Sequence, residues 1–187
     1  MTYWIVVGAE ENMRIAESRG FDVFGFKSTR RNEVSRMRQG DRLIFYLTKI
    51  MKFGGIAEVT SEYFEDHSKV FKSEKKSGED YPFRLKTKPE IILEPDQYLD
   101  AREIAPGLAF TQRWGDNWRL AFQGNLHQIP EEDYEKLASL MREAAKAGAK
   151  SNALSPGAAC SPRACARRPR GRGRQRGGRR PRRGRTR

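Results

Sequence analysis

The sequence predicts an α+β domain with a mixed, strongly bent β-sheet, followed by an arginine-rich tail, and three observations carry that prediction. Short β-forming runs outnumber helical ones, and three or four short helices fall between them without a regular strand-helix-strand alternation. All ten Phe, all six Tyr and all three Trp lie before residue 151. From Ser151 to Arg187 there are thirteen Arg, no Asp or Glu, and no Phe, Trp, Tyr, Ile or Val, so this stretch has too little to bury to offset the entropy lost on folding. The reading is one domain over residues 1–148 and a disordered Arg/Gly/Pro-rich tail over residues 149–187.

Charge has to be read by region. The 187-residue chain carries a formal +13, but thirteen of its 37 basic residues lie beyond residue 150, which leaves 24 against all 24 acids in residues 1–150. The domain is formally neutral, so overall basicity does not by itself make it a nucleic-acid binder. Both cysteines, Cys160 and Cys165, are in the tail, and the domain therefore has neither a disulfide nor a cysteine-based zinc site. With His67 and His127 as the only histidines, no metal site and no cofactor are expected. The opening apolar run from Tyr3 to Val7 is too short for a signal peptide or a membrane span and meets Glu10 and Glu11 at once, which implies a cytoplasmic protein without a membrane partner.

Tyr3-Trp-Ile-Val-Val7 reads as the first strand, and Ala9 to Arg19 as a helix whose Glu10 and Glu11 suit its positive end. Val23 to Lys27 is extended again. Thr29 to Met37 reads as a helix with Ser28 as N-cap, carrying Arg30, Arg31, Arg36 and, just beyond, Arg38 against Glu33 alone. Gly40 suits the positive φ that closes such a helix, and Asp41 suits bonds to neighbouring backbone. Leu43-Ile-Phe-Tyr-Leu47 has the make-up of a strand covered on both faces. In the strand from Phe53 to Tyr63, Gly54 and Gly55 suggest a bulge or the close approach of a ligand.

Glu65 to Asp80 is a surface excursion whose Lys69, Lys72, Lys75 and Lys76 face either phosphate or plain solvent. Tyr81 to Lys88 alternates Phe83 and Leu85 with Arg84 and Lys86, the pattern of a strand with one wet face, and Ile91 to Leu93 extends it. Asp96 to Glu103 reads as a short helix, with Asn117 to Phe122 and Leu126 to Ile129 as the last strands. Pro130-Glu-Glu-Asp133 opens a final helix, on which Tyr134, Leu137, Leu140 and Met141 share one face.

Taken in order, Tyr3-Trp4-Ile5, Val23-Phe-Gly-Phe-Lys27, Met37-Arg-Gln-Gly-Asp41, Phe45-Tyr46, Gly55-Ile-Ala-Glu-Val59, Tyr81-Pro-Phe-Arg84 and Ile129-Pro-Glu-Glu-Asp-Tyr134 resemble the EVE domain. The resemblance covers roughly residues 2 to 146 and points to the branch of small prokaryotic proteins within the PUA-like superfamily. Thymocyte nuclear protein is related, and the YTH readers of methylated RNA are more distant kin. It implies a PUA-like pseudo-barrel with a pocket for a flipped or single-stranded base, often one carrying a methyl or similar group, held by stacking and by hydrogen bonds to its edge. Many EVE and YTH proteins have tryptophan where this chain has Phe24, which stacks with less area and offers no donor.

The residues themselves leave alternatives open. Phe24 and Phe26 flank Gly25 and send two rings to one face, as pocket wall or as core. Lys27 and Ser28 sit at a strand-to-helix junction, where a cation and unpaired backbone donors can meet a phosphate or a base edge. Tyr46 brings a hydroxyl to a buried-looking strand, and Trp4 reads as core, with its family position near the pocket floor. Arg113, Trp114 and Trp118 share the run Arg113-Trp-Gly-Asp-Asn-Trp-Arg119, suited to stacking a base and touching phosphate or to plugging the barrel end. A base stacked between Phe24 and Trp114 follows from this reading.

No Gly-rich phosphate loop, His-Glu-x-x-His or domain cysteine nucleophile is present, so no catalytic residue is assigned. The expected function is a non-catalytic reader of nucleic acid, DNA or RNA. One alternative is a hydrolase-type enzyme on a modified base using Asp41 or Glu58, although Asp41 suits the turn better and Glu58 a strand surface. Another is an RNA-binding accessory protein without modification specificity. Pro169 to Arg180 would bind any polyanion in a salt-dependent way, and its composition equally matches an out-of-frame reading of GC-rich DNA.

Overall fold

The short apolar runs pair into one curled sheet, and the computed structural model describes residues 1–71 and 80–153, with side chains to residue 148. β1 (Tyr3–Gly8) leads into α1 (Glu10–Ser18) and β2 (Val23–Phe26), then through a 3-10 turn (Ser28–Arg30) into α2 (Arg31–Val34) and β3 (Arg42–Leu47). β4 (Lys52–Val59), β5 (Phe64–Glu65), β6 (Phe83–Ile92) and β7 (Leu99–Asp100) follow. The short helices α3 (Ala101–Ile104) and α4 (Ala109–Gln112) precede β8 (Leu126–Ile129) and the long α5 (Glu131–Ala153).

Strand order is β2-β6-β4-β3-β1-β8, with β5 added to β6 and β7 to β4. β1 and β3 run parallel, and the other pairs are antiparallel. This is the α+β, PUA-like arrangement expected from the sequence. The central pair is buried on both faces, as its near-continuous apolar runs require.

Two bulges help to bend the sheet. Phe45 faces Gly55 while Tyr46 faces Phe53, so Gly54 is the extra residue. A Cβ at Gly54 would lie 2.6 Å from the Met13 sulfur, and one at Gly55 would lie 2.6 Å from the Ile91 carbonyl oxygen. The paired glycines thus admit α1 and the neighbouring strand, not a ligand. Across the next ladder Ile56 faces Ile91 and Ala57 faces Pro89, which leaves Glu90 unpaired. Proline, lacking an N–H, is tolerated at such a break. Glu90 then reaches Arg42 Nε at 2.7 Å.

The Gly40-Asp41 turn forms as expected, with Gly40 at φ +94°. Asp41 is buried, and its carboxylate accepts from Thr2 N (2.7 Å), Arg38 N (3.0 Å) and Trp4 Nε1 (3.4 Å). α5 docks through Tyr134, Leu137, Ala138 and Met141, while Leu140 is only half-buried. Its acids do more than face the helix dipole. Glu131 accepts from the Tyr3 hydroxyl at 2.9 Å, and buried Asp133 accepts from Ala109 N and Phe110 N, both at 2.8 Å, capping α4.

Several expectations need correction. Residues Gly115–Phe122 coil as a 3-10 helix instead of a strand, burying Trp118, Ala121 and Phe122 together. Ser28 is not an N-cap: Lys27 precedes the turn and no side chain caps it, and the predicted nine-residue basic helix shrinks to the turn plus α2. The strand expected to run to Tyr63 stops at Val59, and of the helix expected over Asp96 to Glu103 only Ala101–Ile104 forms, after β7. Arg84 is buried, not on a wet face, because Asp66, the Ser68 hydroxyl and the Ser68 carbonyl surround its guanidinium. α5 runs past residue 148, and the remainder of the predicted tail, like Lys72, Lys75 and Lys76, lies outside the described residues.

Candidate nucleic-acid interface

A pocket of about 150 Å3 opens where the parallel strands β1 and β3 end. Its rim takes Val7 and Gly8 from β1, Ala9, Asn12 and Met13 from the start of α1, and Leu47 and Thr48 from the end of β3. The carboxyl ends of parallel strands gather loops and a helix start around one space, which is why ligands recur there. Asn125 completes the rim, and its carbonyl accepts from Val7 N at 2.8 Å. At this volume, well under the roughly 300–1,000 Å3 of drug-sized sites, the pocket suits one small flat group.

One wall is aromatic. Phe24, Phe26, Phe45, Tyr46 and Tyr81 all contribute to it. Phe24 lies 5.4 Å from Phe26, 5.0 Å from Phe45 and 5.5 Å from Phe71 between ring centroids. Glycine at position 25 is required here: a Cβ would stand 2.5 Å from the Phe71 ring and 3.3 Å from Tyr81 Cβ. Tyr46 stacks on Phe122 at 4.2 Å, and Phe122 meets Trp118 edge-on at 6.0 Å. Burial pushes the Tyr46 hydroxyl above its ordinary pKa, so it stays neutral at physiological pH. Lys27 adds a cation at the rim beside Gly25 and Phe26.

A second cavity, a cleft of about 500 Å3, lies along β8. Trp4, Leu126, His127 and Gln128 form its floor and side, with Glu33 of α2, Arg36 just beyond it, and Phe110 and Arg113 at α4. Arg30 donates to Glu33 at 3.0 Å. Burial alone would raise the Glu33 carboxyl, but the Arg30 hydrogen bond, its own backbone and Arg36 hold it below its ordinary value, so it is ionised. Burial, then Arg30 and Arg113, push the His127 imidazole down, with the Gln123 carbonyl working in the opposite direction. His127 Nε2, Arg30 Nε and Trp114 Nε1 are buried and have no hydrogen-bond partner among the described residues.

The eight residues singled out from sequence therefore separate. Phe24, Phe26, Lys27 and Tyr46 line the pocket, and Arg113 lines the cleft. Ser28, Trp114 and Trp118 line neither cavity. Gly115–Phe122 winds Trp118 into the core, while the Arg113 guanidinium lies 5.0 Å from the Trp114 ring. Sequence reasoning missed Asn12, Thr48, Tyr81 and His127. Asn12 carried a readable signal, since a weak helix former at a buried helix position asks for a polar reason.

A bent mixed sheet with an aromatic pocket at the ends of its parallel pair defines a PUA-like fold of the YTH-like kind. The chain belongs to the EVE domain family, which matches residues 2–140. It is 32% identical over 151 residues to the UPF0310 protein PH1033 of Pyrococcus horikoshii, covering 75% of this chain and 99% of that one. It is 31% identical over 150 residues to the UPF0310 protein PYRAB08750 of Pyrococcus abyssi, covering 75% and 100%. Among solved structures, the YTH domain-containing protein mmi1 in complex with RNA superposes with a TM-score of 0.56 at 13% identity, covering 80% of this chain and 86% of that one. The YTH domain of Zygosaccharomyces rouxii MRB1, in complex with N6-methyladenosine RNA, gives 0.55 at 15% identity, covering 75% and 86%. These last two likenesses are of fold.

Proposed function

We propose that the chain is a non-catalytic nucleic-acid-binding domain that receives one base, bearing a methyl or similarly small modification, in the pocket at the ends of β1 and β3. The observation that carries this reading is the pocket itself: about 150 Å3, walled by Phe24, Phe26 and Tyr81, with Asn12 and Lys27 at its polar rim. Rings hold a base by its faces, and an amide can both donate to and accept from its edge. Such a base arrives from a single strand or by flipping. The YTH neighbour crystallised with N6-methyladenosine RNA makes methylated adenine the first candidate.

The acid-base candidates of the enzyme alternative favour binding. Asp41 is committed to Thr2, Arg38 and Trp4, and Glu58 lies 3.5 Å from Arg42. Neither residue lines the pocket or the cleft. Titrating the full chain with methylated nucleosides tests the reading, because a nucleoside has no phosphate and the arginines of the tail gain nothing from it. Saturable shifts of the Gly8, Asn12 and Phe26 amides with one methylated nucleoside, and weaker ones with its unmodified parent, are the expected result. A panel of methylated nucleosides that leaves all three amides unmoved would overturn it.

A further inference from the structure

The cleft along β8 has chemistry the base pocket does not use. Among the described residues, β8 pairs with β1 alone, so its other side is an edge. Across that edge stand Arg30, Arg36 and Arg113 against the single ionised Glu33, a local excess of two positive charges. Arg36 and Arg113 are exposed, and neither makes an ion pair with a carboxylate among the described residues, although Arg36 lowers Glu33 from a distance. The Arg36 Nε donates to the Asn32 carbonyl at 3.2 Å, which holds its guanidinium over α2. His127 Nε2 and Arg30 Nε are buried without partners, and an unmade hydrogen bond of that kind costs about 1–3 kcal/mol. Several cations and two unsatisfied polar atoms around one cavity ask for an oxyanion.

We propose that this cleft is an oxyanion site that takes one phosphate group, with Arg36 and Arg113 as its cationic contacts and His127 Nε2 as a hydrogen-bond donor. The site lies next to the base pocket. Gly124 lines the pocket, and a Cβ built on it would be 3.5 Å from His127 Nε2 and 3.8 Å from an Arg30 Nη. A strand whose base enters the pocket brings its flanking phosphodiester to Gly124 and the cleft beyond. The assignment to nucleic acid rests on the base-reading proposal, whereas the oxyanion site stands without it. With Gln123 favouring a proton on the ring, and Arg30 and Arg113 opposing one, an anion at Nε2 tips the balance toward imidazolium.

The imidazole of His127 is a local reporter of the cleft. Titrating the full chain with inorganic phosphate, followed by nitrogen-detected NMR of the His127 ring, is expected to give a saturable shift and an upward move of its titration midpoint. Combining Arg36→Gln with Arg113→Gln, both at exposed positions, is expected to weaken that response at least tenfold and to leave the nucleoside response unchanged. Dimethyl phosphate and methyl phosphate distinguish the sources: a response to the diester assigns the site to a backbone phosphate, and a response to the monoester alone assigns it to a terminal one. His127 signals that stay fixed through millimolar concentrations of all three phosphates, or that shift equally in the double variant, overturn the site. Because no probe carries a base, its failure is separate from failure of the pocket.

Discussion

The pocket and the cleft share β1 yet are built on opposite principles. The pocket is a small space between rings that hold one another: Phe24 touches Phe26, Phe45 and Phe71, and the side chains have little freedom to lose when a flat group enters. The cleft is more than three times larger and depends on the long cationic side chains of Arg36, just after α2, and Arg113, just after α4. Shape and edge bonding discriminate between ligands, while charge supplies affinity that is blind to sequence and fades with salt. Under the proposed reading, a formally neutral domain sets Arg36 and Arg113 in the cleft, and Lys27 is the cation at the rim of the pocket.

The largest expected effect comes from removing a ring. Phe24→Ala opens the aromatic cluster and is expected to lower the unfolding free energy by about 3–5 kcal/mol, read from a urea melt. Gly25→Ala forces the Phe71 ring to move and is expected to cost about 1–3 kcal/mol while abolishing nucleoside binding and sparing the His127 response to phosphate. Loss of both responses would show that the two sites are one unit. Asn12→Ala is expected to weaken nucleoside binding by about 0.5–1.5 kcal/mol by calorimetry, the worth of one net hydrogen bond, with no change in the cleft.

The smallest effect concerns protons. The folded domain holds His127 below its ordinary pKa, so the unfolded chain binds that proton more readily. Stability from this source is complete above the ordinary histidine value and declines as the pH falls through the folded one. Melting temperatures across that range are expected to drop on acidification, less so with phosphate present and less so in His127→Gln. A slope of the opposite sign would mean that the imidazole is already paired with an anion in the protein alone.

How far these sites can be read in the sequence depends on the range of the forces involved. The parallel pair was legible because continuous apolar runs suit burial on both faces, and the Gly40-Asp41 turn because only local backbone is involved. The bulge at Gly54 was legible too, although its reason, the sulfur of Met13, was not. Asn117 to Phe122 reads as a strand, although Trp118, Ala121 and Phe122 stand at helical spacing and the residues coil as part of the 3-10 helix Gly115–Phe122. Arg84 could not be placed from its neighbours, because Asp66 and Ser68, which enclose it, lie 18 and 16 residues away. The aromatic half of the pocket was visible in Phe24, Phe26 and Tyr46. The cleft was not, since α2, the end of α4 and β8 meet only in the folded chain.

The division of labour is tested most directly by salt. Affinity of the full chain for a methylated nucleoside and for a short single strand carrying the same base should be measured over a series of salt concentrations, with and without Arg36→Gln and Arg113→Gln. The account predicts nucleoside affinity that is flat with salt and indifferent to both substitutions, and a single-strand affinity whose salt slope falls by roughly one for each arginine removed. Nucleoside affinity that falls with salt, or that drops when the two arginines are replaced, would contradict it.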